Sequence, residues 1–124
     1  MIDHLSLGVS DIARSATLYE AMLAPLGYRR IVDLAERVGF GKRYPEVWLN
    51  HRPGMAPVTD GLHVCLRAVS EEAVRAFHAA ALANGAQDDG EPGPRQAAMT
   101  IYFGAFVRDR DGNRLEAASF PRAD

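Results

Sequence analysis

Apolar and polar residues alternate in two short stretches of this chain. The alternation places apolar side chains on one face only, which predicts two strands that each cover a core with that face. The apolar positions are Leu5, Leu7 and Val9 in the first stretch and Leu62, Val64 and Leu66 in the second.

A helix is predicted after each strand, because apolar residues then recur three or four positions apart. These residues are Ile12, Ala16, Tyr19 and Leu23 in the first helix and Val74, Phe77, Ala81 and Leu82 in the second. Each helix follows a Val-Ser pair, so Ser10 and Ser70 are expected to cap the N-termini. Gly27 and Gly85 are expected to mark the ends.

Further short strands are predicted after each helix. The first half contains three of them, near residues 29–34, 37–41 and 46–50. The second half contains a weak strand near 86–89 and a loop rich in glycine and proline at 90–94. Two firmer strands follow near 100–108 and 113–120. The sequence between the last two strands predicts a tight hairpin turn, Asp109-Arg110-Asp111-Gly112.

The order strand, helix, strand, strand, strand therefore occurs twice, with matching positions about 58 to 60 residues apart. We expect a single domain at residues 1–124, with module one at 1–51, a linker at 52–60 and module two at 61–120. The duplication predicts an α+β fold whose paired βαβββ modules form a curved mixed sheet around a cleft, with the helices outside.

Composition and charge narrow the function classes. The 124 residues carry a formal net charge of -2, are 48% hydrophobic and include one cysteine. No basic stripe exists to bind a phosphate backbone, so nucleic-acid binding is not expected. No apolar run approaches the roughly 20 residues that span a bilayer, and the N-terminus lacks signal-peptide features, so we expect no membrane partner. The single cysteine fits a reducing compartment, and we expect a cytoplasmic protein.

Three side chains that can ligate metals fall on the strand faces opposite the apolar ones. They are His4, His63 and Glu116. If the two halves form one curved sheet, these faces line a cleft, and two imidazoles with one carboxylate suit Fe(II), Mn(II), Ni(II) or Zn(II) with open coordination positions. Each of these residues taken alone is better explained as an ordinary hydrogen-bonding or solvated residue. Only their joint placement indicates a divalent-metal site.

Four other residues are candidates, each with a structural alternative. Trp48 is either a stacking floor for a planar substrate or a packing residue. Tyr102 either donates a proton or hydrogen bond in the cleft or packs structurally, and Arg95 either binds an anionic group or stays solvated. Cys65 is a soft ligand, a reactive thiol or, more simply, a small buried filler.

Two segments carry a family resemblance that extends over essentially the whole chain. The start of glyoxalase and bleomycin-resistance domains is similar to the opening segment, Ile2-Asp3-His4-Leu5-Ser6-Leu7-Gly8-Val9-Ser10-Asp11. The stretch from Phe106 to Glu116 resembles their closing hairpin, F-x-D-P-D-G-N-x-x-E, with Arg110 in place of the proline. The resemblance to this vicinal oxygen chelate superfamily, which includes extradiol dioxygenases, implies paired βαβββ modules around a metal or ligand.

By this resemblance the family's metal positions fall on His4, His63 and Glu116, and a fourth position falls on Trp48. Glyoxalase I members carry a glutamate at the fourth position, whereas an indole neither ligates a metal nor transfers a proton. This difference argues against glutathione-dependent glyoxalase I activity. The alternative is a register slip that brings a residue of the same parity to this place, Glu46 or Asn50.

Two functions remain open at this point. The first is a metal-dependent enzyme of the lyase, isomerase or dioxygenase type that chelates a small oxygenated substrate. Glu116 and Tyr102 would be its catalytic residues, and Trp48, Arg95 and Cys65 would contact the substrate. The alternative is a metal-free protein of the bleomycin-resistance type that binds and sequesters a small molecule. The modules either close on each other within one chain or exchange between the chains of a homodimer, and we expect a homodimer.

Overall fold

The structure is a computed structural model that describes residues 1–121. The predicted order of one strand, one helix and three strands occurs twice, as the sequence indicates. The elements are β1 (Leu5–Val9), α1 (Ile12–Leu23), a 3-10 turn (Ala24–Leu26), β2 (Arg29–Asp33), β3 (Arg37–Gly41), β4 (Val47–His51), β5 (His63–Arg67), α2 (Glu71–Ala83), β6 (Gln87–Gln96), β7 (Ile101–Arg108) and β8 (Arg114–Ser119). The exact module boundaries around the linker stay a prediction.

The strands form two four-stranded mixed sheets, and the α+β fold class is confirmed. The first sheet has the order β1-β4-β3-β2 and the second the order β5-β8-β7-β6. In each sheet the first strand is parallel to the last one, and the other neighbours are antiparallel. β1 and β5 lie at the edges of separate sheets, so the two halves do not close into one continuous curved sheet.

The core lies between the helices and one face of each sheet, and the two helices also contact each other. Most of the predicted apolar positions are buried, among them Leu7, Val9, Ala16, Tyr19, Leu23, Leu66, Val74, Phe77 and Ala81. Leu62 and Leu82 are exceptions, with 64% and 40% of their surface exposed. Leu62 precedes β5, and Leu82 lies about 100° around the helix from the buried Ala81. None of the helices in residues 1–121 is long and apolar enough to span a membrane.

Three of the four residues that the sequence predicts at the helix ends are found there in the structure. Ser70 caps α2 by accepting a hydrogen bond from the backbone N–H of Ala73, as predicted. Gly27 and Gly85 adopt φ angles of 88° and 101° after the helices. The prediction of Ser10 as the first cap is wrong, because the Asp11 carboxylate accepts the capping hydrogen bond of α1.

The predicted loop at residues 90–94 is also wrong, because these residues lie inside β6. The strand is irregular, with register shifts between Asp88 and Gly90 and between Gly90 and Gly93. β6 is the edge strand of its sheet, so its prolines, which lack an N–H group, are tolerated there. The register shifts accommodate the extra residues of this strand. The composition that predicts a loop is therefore compatible with an irregular edge strand.

The closing hairpin between β7 and β8 joins the two halves of the molecule. Its Asp109 accepts a hydrogen bond of 2.7 Å from the hydroxyl of Tyr19 in α1. Its Asn113 donates a hydrogen bond of 2.9 Å to the backbone carbonyl of Gly8 in β1. Asp109, Asn113 and Tyr19 are all buried, so these bonds fix the hairpin against the first half.

Candidate functional site

One face of the second sheet gathers most of the candidate residues. The register places Glu116 of β8 beside Cys65 of β5 on one side and Phe106 of β7 on the other. Because side chains alternate along strands, residues of the same parity share this face, which is opposite the one covered by α2. We call it the outer face, and it comprises His63, Cys65, Arg67, Arg95, Tyr102, Gly104, Phe106, Arg108, Arg114, Glu116 and Ala118.

Glu116 lies at the centre of the outer face and is only 3% exposed. Its Oε2 accepts a hydrogen bond of 2.5 Å from the Tyr102 hydroxyl, and its Oε1 lies 3.2 Å from Nε2 of His63. Gly104 makes room for this arrangement, since a Cβ there would lie 2.8 Å from the Tyr102 ring and 3.0 Å from Glu116 Oε2. The parity prediction that His63 and Glu116 share a face is therefore confirmed, and Tyr102 joins them.

The environment of Glu116 holds two neighbouring groups in their protonated forms. Desolvation, the hydrogen bond to Glu116 and its charge together raise the pKa of Tyr102 to about 12. Desolvation and then the Glu116 charge likewise raise the pKa of the Cys65 thiol to about 12. Cys65 is an exposed residue, so the interpretation as a buried filler is wrong, and its thiol is nevertheless a poor source of thiolate.

His4 lies directly before β1 of the other sheet, apart from this cluster. Its Nδ1 lies 2.7 Å from a carboxylate oxygen of Asp3, and about half of its side chain (51%) is exposed. His4 and His63 both line a cavity of about 490 Å³ between β1 and β5, but Glu116 does not. Within residues 1–121, no group of three or more His, Cys, Asp or Glu residues is close enough to hold a metal ion. One chain therefore brings together two of the three predicted ligands.

Trp48 occupies the position in the first sheet that Glu116 occupies in the second. β1 pairs with β4 so that Ser6 is opposite Trp48, and β5 pairs with β8 so that Cys65 is opposite Glu116. The register slip considered for Glu46 and Asn50 is thus absent. The Trp48 ring is half-buried, the guanidinium carbon of Arg37 lies 5.1 Å from its centroid, and a Cβ at Gly39 would lie 3.0 Å from it.

Two arginines lie against the ring of Phe106 on the outer face, and the sequence singled out one of them, Arg95, but not Arg114. The guanidinium carbon of Arg114 lies 4.4 Å from the ring centroid and that of Arg95 lies 5.8 Å from it. The imidazole of His63 is also close, with its centroid 5.6 Å from that of Phe106. Phe106 and Arg114 have the same parity as Glu116 and its partners, which is the signal that could have revealed them.

Several solved structures resemble this one over nearly its whole length. A glyoxalase/bleomycin resistance protein from Albidiferax ferrireducens T118 is 32% identical, with a TM-score of 0.82 over 95% of this chain and 98% of that chain. A glyoxalase-related enzyme from Fulvimarina pelagi is 16% identical, with a TM-score of 0.75 over 98% and 88% of the two chains. The fosfomycin resistance protein FosX from Listeria monocytogenes is 15% identical, with a TM-score of 0.71 over 98% and 93%.

Sequence comparison with protein families agrees with these structures. No curated protein matches the chain significantly. The family model described as Glyoxalase/Bleomycin resistance protein/Dioxygenase superfamily matches residues 1–117. The match covers both helices, β1 to β7 and the closing hairpin, and it ends within β8. This protein therefore belongs to the glyoxalase/bleomycin resistance protein/dioxygenase superfamily.

Proposed function

We propose that this protein is a divalent-metal-dependent enzyme that acts on a small oxygenated molecule by lyase, isomerase or dioxygenase chemistry. The main support is the contact between His63 and Glu116, which places an imidazole and a buried carboxylate within 3.2 Å of each other. Glutathione-dependent glyoxalase I activity is not part of the proposal, because Trp48 stands where a fourth ligand would be needed. The single cysteine supports a cytoplasmic location.

The donor chemistry fits a transition metal ion in part. Imidazole nitrogen and carboxylate oxygen together suit Fe(II), Mn(II), Ni(II) or Zn(II), and His63, Glu116 and His4 would be the ligands. When bound, such an ion would act as a Lewis acid toward the oxygens of the substrate. His63 and Glu116 are already in contact, so the missing donor within one chain is His4.

Tyr102 and Glu116 are the proposed catalytic pair. The phenol keeps its proton at neutral pH, because its pKa is raised to about 12, and it directs that proton at Glu116 Oε2. This hydrogen bond fixes the carboxylate and leaves Oε1 facing His63. Tyr102 is therefore suited to donate a hydrogen bond to a developing oxyanion, and Glu116 is suited to accept a proton from the substrate.

We further propose that the site is completed in a homodimer, with His4 supplied by a second copy of the chain. His4 directly precedes the first sheet, whereas His63 and Glu116 lie in the second, and the two sheets do not close around one another. The side chains of His4 and His63 are 51% and 42% exposed, which leaves both accessible to another chain. Ile2, at 82% exposed, adds apolar surface beside His4.

Metal analysis of untagged protein, purified without chelator, tests the proposed ligands. We expect near-stoichiometric metal in the wild type and its loss in the double variant His63→Ala/Glu116→Gln. The matched control is His78→Gln, which removes a histidine that is hydrogen-bonded to Asp88 and lies outside the site. Absence of metal after anaerobic reconstitution with Fe(II), Mn(II), Ni(II) and Zn(II) would overturn the metal-dependent function.

Mixing two defective variants tests whether the site is shared between chains. His4→Ala and Glu116→Gln dimers should each lack metal, whereas unfolding and refolding them together should produce mixed dimers. Each mixed dimer would hold one site with all its ligands, so about one quarter of the wild-type metal content should return. No recovery, together with a monomeric mass in sedimentation analysis, would show that the site is not shared.

A metal-free binding protein of the bleomycin-resistance type is the second candidate function. Trp48 favours it, because the indole stands at a ligand position with Arg37 stacked against it. Trp48 and Cys65 would then contact a planar or aromatic ligand through stacking and dispersion. Quenching of the fluorescence of this single tryptophan by a ligand in metal-free protein would support this function over the enzyme.

A further inference from the structure

A hollow next to Phe106 is lined by the side chains of two arginines, Arg95 and Arg114. Its volume is about 630 Å³, within the range of small-molecule sites, and it is lined by residues 89–95 of β6, Phe106 and Arg114. Phe106 is the register partner of Glu116 and its ring lies 5.6 Å from the ring of His63. The hollow is therefore immediately beside the proposed catalytic pair.

Two arginines and two acids line this hollow, namely Arg95, Arg114, Asp89 and Glu91. Asp89 accepts a hydrogen bond of 2.5 Å from Nε of Arg114 and lies 3.5 Å from Nε of Arg108. Asp89 is thus shared by Arg108 and Arg114, whereas the guanidinium of Arg95 has no carboxylate partner within residues 1–121. Of the other two acids on β6, Asp88 is hydrogen-bonded to His78 and Glu91 is exposed at the hollow.

Arg95 is held in position by the backbone. Its Nη2 donates a hydrogen bond of 2.6 Å to the carbonyl of Glu91, the only hydrogen bond recorded for this guanidinium within residues 1–121. A Cβ at Gly90 would lie 3.1 Å from both Nη2 of Arg95 and the Phe106 ring, so the glycine leaves space for the guanidinium. The other N–H groups of Arg95 remain to bind a ligand.

We propose that this hollow binds the anionic group of the substrate between Arg95 and Arg114, with Phe106 beneath the adjoining part of the molecule. Guanidinium groups match the paired oxygens of a carboxylate or phosphate, and an aromatic ring favours a flat neighbour. The substrate class is accordingly a small oxygenated anion. The reacting end of the substrate would lie at Glu116, and this placement rests on the proposed function. The contact of the anionic group with the arginines does not depend on that function.

Titration of metal-depleted, dialysed protein with benzoate tests the subsite, with the side-chain Nε–H NMR signals of Arg95 and Arg114 as the readout. Benzamide, which has the same shape without the charge, should bind roughly tenfold more weakly or worse. Phenyl phosphate, titrated in parallel, distinguishes a carboxylate site from a phosphate site by which of the two binds more tightly.

Arg95→Gln should weaken benzoate binding by roughly tenfold or more. The matched control is Arg67→Gln, which removes another arginine of the outer face, one stacked over Phe120 at 4.9 Å, and should leave binding unchanged within about twofold. Equal binding by wild type and Arg95→Gln, or no saturable binding up to about 10 mM benzoate, would overturn the proposal. Metal content should be the same in Arg95→Gln and wild type, so failure of the subsite and failure of the metal site are separate results.

Discussion

The hydroxyl of Tyr19 in the first helix donates a 2.7 Å hydrogen bond to Asp109 in the closing hairpin, 90 residues further along the chain. Asp109 also accepts hydrogen bonds from the backbone N–H groups of Asp111 and Asn113 and from the Asn113 side chain. Burial raises the pKa of Tyr19 well above its ordinary value, so the phenol remains a donor throughout the accessible pH range. The contact couples the stability of the hairpin to that of the first helix.

Tyr19→Phe should lower the free energy of unfolding by about 1–3 kcal/mol, because it removes one donor from a buried carboxylate without opening a large cavity. Urea denaturation followed by circular dichroism measures the change. Tyr44→Phe is the matched control, since Tyr44 is 52% exposed and should cost less than about 0.5 kcal/mol. Equal stabilities for the two variants would show that the contact contributes nothing to the fold.

Gly112→Ala should destabilise the protein more than Gly54→Ala does. Both glycines adopt positive φ angles, 89° and 76°, so alanine carries a similar backbone cost of about 1–2 kcal/mol at each place. A Cβ at position 112 would also collide with the carbonyl of Val58, whereas the space around position 54 is open. Thermal unfolding of the two variants measures the difference, and identical melting temperatures would contradict the close approach of the linker to the hairpin.

Cys65 in metal-depleted protein should react slowly with iodoacetamide at pH 8 although it is exposed, because its thiol pKa is raised to about 12. Glu116→Gln removes the charge that opposes the thiolate and should speed the reaction by roughly tenfold. Mass spectrometry of timed samples measures the rate. Glu46→Gln, which removes a carboxylate directly before β4, is the control, and a rate increase in it as large as that in Glu116→Gln would refute the effect of Glu116.

The contribution of Asp88 to stability should be lost in acid. Hydrogen bonds from His78 and from the backbone N–H of Gly90 hold the pKa of Asp88 below its ordinary value of 3.8. A lowered folded-state pKa stabilises the fold above that ordinary value, and the contribution disappears as the pH falls through the folded-state pKa. The stability difference between wild type and Asp88→Asn should therefore be present at pH 7 and absent below the folded-state pKa. Asp60→Asn serves as the control for a general charge effect, and a difference that persists in strong acid would rule out this origin.

The strands that the sequence predicts well include those bounded by a clear turn signal. β7 and β8 begin within one residue of their predicted starts, because the turn at Asp109–Asn113 separates them. Residues 90–94 of β6 are predicted as a loop rather than as a continuation of the weak strand near 86–89, since Pro92 and Pro94 usually mark a loop. Only the position of this strand at the sheet edge makes the prolines acceptable, and that position is a property of the whole topology.

The sequence predicts those parts of the candidate site that depend only on the alternation of side chains along a strand. Parity alone placed His63, Cys65 and Glu116 on one face, and the register agrees. The bond from Tyr102 to Glu116 was not predictable, because it depends on the register of β7 against β8 and on the space left by Gly104. The separation of His4 from the other two proposed ligands could not be predicted either. It follows from the fact that the two sheets do not join into one.

The prolines of β6 also affect how this protein can aggregate. β6 forms one edge of the second sheet, and Pro92 and Pro94 carry no N–H group, so a foreign strand would find an interrupted row of donors there. The register shifts around Gly90 bend the edge further out of a regular ladder. Amyloid-like extension of this sheet is therefore blocked on one side, and chains that misassemble by strand addition should do so through the opposite edge, β5, which contains no proline.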